Sequence, residues 1–137
     1  MPMTPYNTEQ AARGYLMYAL AIRGYKSLLA DSRFPREDML VVSPSGKHFG
    51  IEVKGQRIAK NFWRFSYRSP HPEIWYAFIF VPENGTPKVF IMESATTMEG
   101  WKKYKEDGLK RGLEDNQWGL PWTTPLKYEN RWNLLPE

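Results

Sequence analysis

Near the start of the chain Ala12, Leu16, Ala19 and Leu20 fall on one stripe at helical spacing, which predicts an amphipathic first helix. Thr4-Pro5 supplies an N-cap followed by proline at the first helical position, and Gly24 stands just past the expected end. The pattern then changes to strand-like runs. Lys26-Ser27-Leu28-Leu29 fits a short edge strand, and Asp38-Met39-Leu40-Val41-Val42 and Phe49-Gly50-Ile51-Glu52-Val53-Lys54 flank the turn residues Ser43-Pro44-Ser45-Gly46-Lys47. Trp75-Tyr76-Ala77-Phe78-Ile79-Phe80-Val81 is a continuous apolar run of strand length, suited to the buried centre of a sheet. Asn84-Gly85 turns it toward a last strand at Lys88-Val89-Phe90-Ile91-Met92. Thr96-Thr97-Met98-Glu99 matches a capping box and predicts a second helix through about Gly112, and Thr124-Pro125 predicts a short terminal one.

The order helix, three or four strands, helix, tail describes one compact α/β domain covering residues 1–137. Its core is expected at about 5–112, followed by a Trp/Pro-rich C-terminal extension at 113–137. The length allows a real core, and 42% hydrophobic with 15% aromatic content excludes a disordered tail. Cysteine is absent, which rules out disulfides and thiolate metal sites. Neither a leader-like N-terminus nor a run of about 18 apolar residues is visible, so a cytoplasmic protein without membrane contact is expected. A net charge of +4 leans mildly toward polyanionic partners.

The chemistry concentrates on the second and third expected strands. Glu52 and Lys54 are two residues apart, so they share a face while Val53 points the other way. A three-residue loop Pro44-Ser45-Gly46 pairs residues whose numbers sum to 90, because Ser45 lies at its centre. That register sets Asp38 opposite Glu52, whereas a two-residue turn would put them on opposite faces. Two facing carboxylates repel, and a hard divalent cation such as Mg²⁺ or Mn²⁺ resolves the conflict, leaving room for water and a substrate phosphate. Lys54 is then placed to orient the attacking water or to stabilise a pentacovalent transition state, and Gln56 continues along the same face. Glu9 shares the first helix's apolar stripe with Ala12 and Leu16, where a carboxylate needs a reason, such as reaching over to the sheet as ligand or base.

A helix carrying Glu9, Asp38 at a strand start and Glu52-Val53-Lys54 after a hairpin resembles the PD-(D/E)XK nuclease superfamily, with its restriction-endonuclease-like fold. The likeness extends over roughly residues 5 to 112 through the order of elements. It implies a central mixed four- to five-stranded sheet flanked by helices and Mg²⁺- or Mn²⁺-dependent hydrolysis of phosphodiester bonds in DNA. Asp38 and Glu52 would be metal ligands, Lys54 the catalytic lysine and Glu9 the acidic residue of the first helix. Gln56 is similar to the glutamine that some resolvase-like and intron-homing members carry just after that lysine. Glu37 departs from the pattern, since it stands where the eponymous proline would be.

Plainer meanings stand beside these. An acid-x-Lys triplet on a strand is ordinarily an exposed cross-strand ion pair. Glu9 alone would serve the helix N-terminus. Arg57, Lys60, Arg64 and Arg68 lie in a stretch without acids, interleaved with Phe62, Trp63, Phe65 and Tyr67. That mixture suits phosphate contact and base stacking, and Arg57, Lys60, Trp63, Arg64 and Arg68 form the candidate nucleic-acid set. It equally suits a strand with buried aromatics and solvated cations. The cations of the second helix are expected to be its wet face, and the tail tryptophans to be core or interface staples. His48 and His71 have no partners at metal-ligand spacing.

The expected function is a metal-dependent endonuclease acting on double-stranded or branched DNA, with a homodimer placing two sites on two strands. The alternatives are an inactive nucleic-acid-binding domain of the same fold and a protein-interaction module using the aromatic tail.

Overall fold

A computed structural model describes residues 4–31, 36–113 and 117–137. Helix α1 runs Pro5–Ala21, and the Thr4 hydroxyl accepts from the Asn7 amide while the Asn7 side chain answers the Thr4 amide. Asn7 thus completes the box usually closed by Glu or Gln. The strands are β1 Lys26–Leu29, β2 Met39–Val42, β3 His48–Gln56, β4 Trp63–Arg64, β5 Ile74–Phe80, β6 Lys88–Glu93 and β7 Gly119–Leu120, with helix α2 at Ser94–Lys110 between the last two.

A mixed five-stranded sheet in the order β1-β2-β3-β5-β6 carries the fold, and β4 pairs with β7 in a separate two-stranded ribbon. Only β3 and β5 run parallel; the other neighbours in the large sheet are antiparallel. The apolar run predicted for a sheet centre is β5, between β3 and β6, and four of its residues are almost fully inaccessible.

Strand alternation divides the core in two. Met39, Val41, Phe49, Ile51 and Val53 face α1 through Ala12, Leu16 and Leu20. On the opposite face Tyr76, Phe78, Phe90 and Met92 meet Trp63, Phe65, Met98 and Leu120. The C-terminal extension wraps both layers. Trp118 and Leu120 close the α2 side, Glu129 bridges to Phe90, and Leu135 fills the α1 side while Tyr25 Oη donates to Pro136 O at 2.7 Å. These residues act as internal staples, and of the three tail tryptophans Trp118 is buried while Trp122 and Trp132 are part-exposed.

Two boundaries differ from expectation. α2 begins at Ser94, two residues before the Thr96 box, with Glu93 as an N-cap whose side chain makes no capping bond. Thr97, expected inside the box, is buried with its hydroxyl on Glu93 O at 2.8 Å, so the motif is spent on packing. The terminal helix predicted at Thr124-Pro125 is a 3-10 turn, Thr124–Tyr128, followed by a second at Trp132–Leu134. Among the described residues no helix is long and apolar enough to cross a membrane.

Candidate functional site

The β2–β3 hairpin has the register expected from its loop. Ser43 and Lys47 close the turn by a 2.8 Å bond, Gly46 sits at φ +95°, and the pairs Met39↔Ile51 through Val42↔His48 all sum to 90. The ladder stops there, one residue short of Asp38. Asp38 N donates to Ile51 O, and the side chain takes over the pairing: Oδ2 accepts from Val53 N at 2.7 Å.

β3 therefore continues beyond β2 with a free edge, and α1 comes over it. A Cβ on Gly55 would stand 3.0 Å from Ala12 Cβ and 3.3 Å from Thr8 O, so only glycine lets the helix approach this closely. The approach delivers Glu9, whose Oε1 accepts from Gly55 N at 3.3 Å. Two carboxylates far apart in sequence thus bracket Lys54 on β3, one on the amide before it and one on the amide after. Burial raises the Glu9 carboxyl above its usual range. The Gly55 bond and the charges of Arg13 and Lys54 pull it back, and Asp38 pushes it further up. Glu9, Asp38 and Lys54 thus lie within electrostatic reach of one another.

Glu52 follows a different path. It shares the α2-side face with Lys54 and is only 4% exposed. Its Oε2 receives Arg36 Nε at 3.0 Å, while Arg36 Nη1 donates to Ser69 O. Burial works against the charge of Arg36, but Glu52 and Tyr76 outweigh it and raise its pKa. The adjoining Tyr76 phenol is driven well above its ordinary pKa, first by burial and then by Glu52. Asp38 has its own arginine, Arg13 Nη2 at 3.3 Å from Oδ1, at a more open position. Among the described residues no three His, Cys, Asp or Glu side chains converge on one point.

A cleft of about 330 Å³ opens beside Lys54 and Glu9, lined further by Gln56, Asn61, Arg64 and Gln117. Gln56 ties down its rim, since Nε2 donates to Asn61 O at 2.8 Å and to Phe62 O at 3.2 Å. Its amide is committed to the loop that shapes the cleft. Larger hollows lie elsewhere, one of about 520 Å³ against β1 and β2.

The candidate nucleic-acid residues separate. Lys60, Arg64 and Arg68 are exposed and Arg57 is half-buried. Trp63 is a core residue at 2% exposure, its ring stacked on Trp122 at 5.2 Å and edge-on to Phe78 at 5.3 Å. At that burial the base-stacking role expected of it has no free surface. Sequence reasoning missed Arg13, Arg36, Tyr76, Asn61 and Gln117. Arg13 had a signal, because it stands four residues after Glu9 on α1; Arg36 had none.

The carboxylates suit a hard cation by chemistry, since one or two carboxylates with water and phosphate suffice for Mg²⁺. Each already has a guanidinium beside it. Comparison with known protein families, with characterised proteins and with solved structures finds no match.

Proposed function

We propose that this chain is a metal-dependent endodeoxyribonuclease of the PD-(D/E)XK type, hydrolysing phosphodiester bonds in DNA. The observation that carries this reading is the convergence of α1, the start of β2 and the free edge of β3 around Lys54. Glu9 and Asp38 cap the two flanking amides. Capping alone does not account for the choice of residue at position 9. A Gln would accept the same bond without the cost of burying a charge, which the raised Glu9 pKa records.

Asp38 and Glu52 would hold a divalent ion, which supplies Lewis-acid polarisation of the phosphoryl oxygen and lowers the pKa of a bound water. Lys54, whose ammonium lies 5.9 Å from the Phe65 ring centroid, would stabilise the charge that grows on the phosphoryl oxygens. Glu9, its carboxyl raised by burial and held on Gly55 N through Oε1, would serve as the proton acceptor. Arg64, across the cleft, neutralises a neighbouring phosphate, and Lys60 and Arg68 extend the cationic surface.

The test is cleavage of plasmid and branched DNA in Mg²⁺ and Mn²⁺. We expect cleavage by the native chain and its loss in Lys54→Ala and in Asp38→Ala, with folding kept.

A second reading has a specific observation in its favour. Arg13 and Arg36 already neutralise Asp38 and Glu52, as in a non-catalytic nucleic-acid-binding domain that keeps this fold. DNA binding that survives both substitutions, with no cleavage in any divalent metal, supports it.

A further inference from the structure

Glu52 poses a problem that its neighbours answer. A carboxylate this deeply buried cannot stand bare, because burying an unpaired charge costs far more than a hydrogen bond returns. Arg36 meets the need: Nε is 3.0 Å from Oε2, Nη1 is anchored on Ser69 O, and the side chain is only 14% exposed. The guanidinium is pinned from two sides between β3 and the connection leading to β5. A divalent ion needs the same carboxylate, and two cations cannot share so enclosed a group without strong repulsion.

We propose that Arg36 is a built-in competitor for the divalent cation at Glu52. While the site is metal-free it holds the carboxylate in place, and an ion binds only as the guanidinium gives way. The inference rests on the nuclease reading and deepens it. Arg13 does not play the same part. Asp38 is a quarter exposed, its pair with Arg13 is longer, and Val53 N already holds the carboxylate. Once released, Arg36 presents a planar fork of donors that matches a phosphate, so an incoming DNA backbone offers it a new acceptor. Metal and DNA binding are then positively linked through one residue, each favouring the other.

The experiment is calorimetric titration of the full chain with MnCl₂ alone, without DNA, on the native protein, Arg36→Met, Arg13→Met and the double variant Arg36→Met/Glu52→Gln. Arg36→Met is expected to bind Mn²⁺ at least about tenfold more tightly than the native chain. Arg13→Met should gain clearly less, and the double variant should lose the gain. Metal-free Arg36→Met should melt below the native chain, with Mn²⁺ restoring the difference. An unchanged affinity in Arg36→Met, or a gain that persists in the double variant, overturns the proposal. Where Arg36→Met does not fold, Arg36→Lys keeps the charge and loses the fork. It should show an intermediate gain, and native affinity there is equally contrary. Tight binding shared equally by the native chain and Arg36→Met refutes the role of Arg36 and leaves the nuclease reading standing. Binding by none of them at millimolar Mn²⁺ refutes both.

Discussion

Glu9 is the residue at which stability and function are expected to pull apart. Its carboxyl binds a proton more tightly in the folded chain than in the unfolded one, whose ordinary value is 4.5. From just above that value upward the folded state therefore carries the larger share of proton, and stability falls as pH rises through the window to the raised folded value. Below the unfolded value the penalty is absent. Glu9→Gln removes the titration while keeping an acceptor for Gly55 N. We expect it to be more stable than the native chain at neutral pH and equal to it near pH 4, by urea denaturation across a pH series. The same variant should cleave DNA poorly. Lys54→Ala should fold normally and lose about 10²–10³ in cleavage rate, the usual loss when one charge-stabilising donor is removed. At the same scale Trp63 and Arg64 should behave oppositely. Trp63→Ala removes a core ring and should cost about 3–5 kcal/mol of stability, measured by denaturation. Arg64→Ala should leave the melting temperature unchanged, weaken DNA binding and reduce its salt slope by about 1.

Among the elements, the close seat of α1 on β3 decides whether the site exists. Gly55→Val would set new carbon against Ala12 and the backbone of Thr8. It should cost about 1–3 kcal/mol by overpacking and break the Glu9 contact, so cleavage should fall further than stability alone explains. The elements also show what the amino-acid pattern can disclose. The hairpin was legible because Pro44 and Gly46 fix a turn of known length, and the turn fixes the register. The ladder ended one residue early, at Met39, because beyond it Asp38 meets β3 with its own amide on Ile51 O and with its side chain on Val53 N. The beginning of α2 was misplaced because Thr97 resembles a cap in sequence and is a buried packing residue in space. The ribbon of β4 with β7 was not legible at all. It joins two-residue strands more than fifty positions apart, and it depends on Gly119 lying against the Trp63 backbone where any Cβ would collide.

For the whole molecule, the layers explain which site residues were readable. Periodicity reports burial along one element, so it gave the faces of Glu9, Glu52 and Lys54, whose positions on a stripe or a strand determine their direction. It cannot report pairings across the fold. Arg36 reaches Glu52 and Ser69 from an irregular segment, and Tyr76 stands beside Glu52 because β5 runs parallel to β3 in that register. The mixed sheet between two helices agrees with the α/β class expected. The restriction-endonuclease-like reading is a proposal, supported by the order of elements and by Glu9, Asp38, Glu52 and Lys54. The extension ties the two layers through Trp118, Glu129 and Leu135.

The central claim is that Asp38 and Glu52 share a divalent ion beside Lys54, and a crystal soaked in Mn²⁺ tests it most directly. Anomalous scattering should place one peak within about 2.0–2.6 Å of an oxygen from each carboxylate, with Arg36 moved off Glu52. A map with no peak there, with Arg13 on Asp38 and Arg36 on Glu52 as in the metal-free chain, would contradict it.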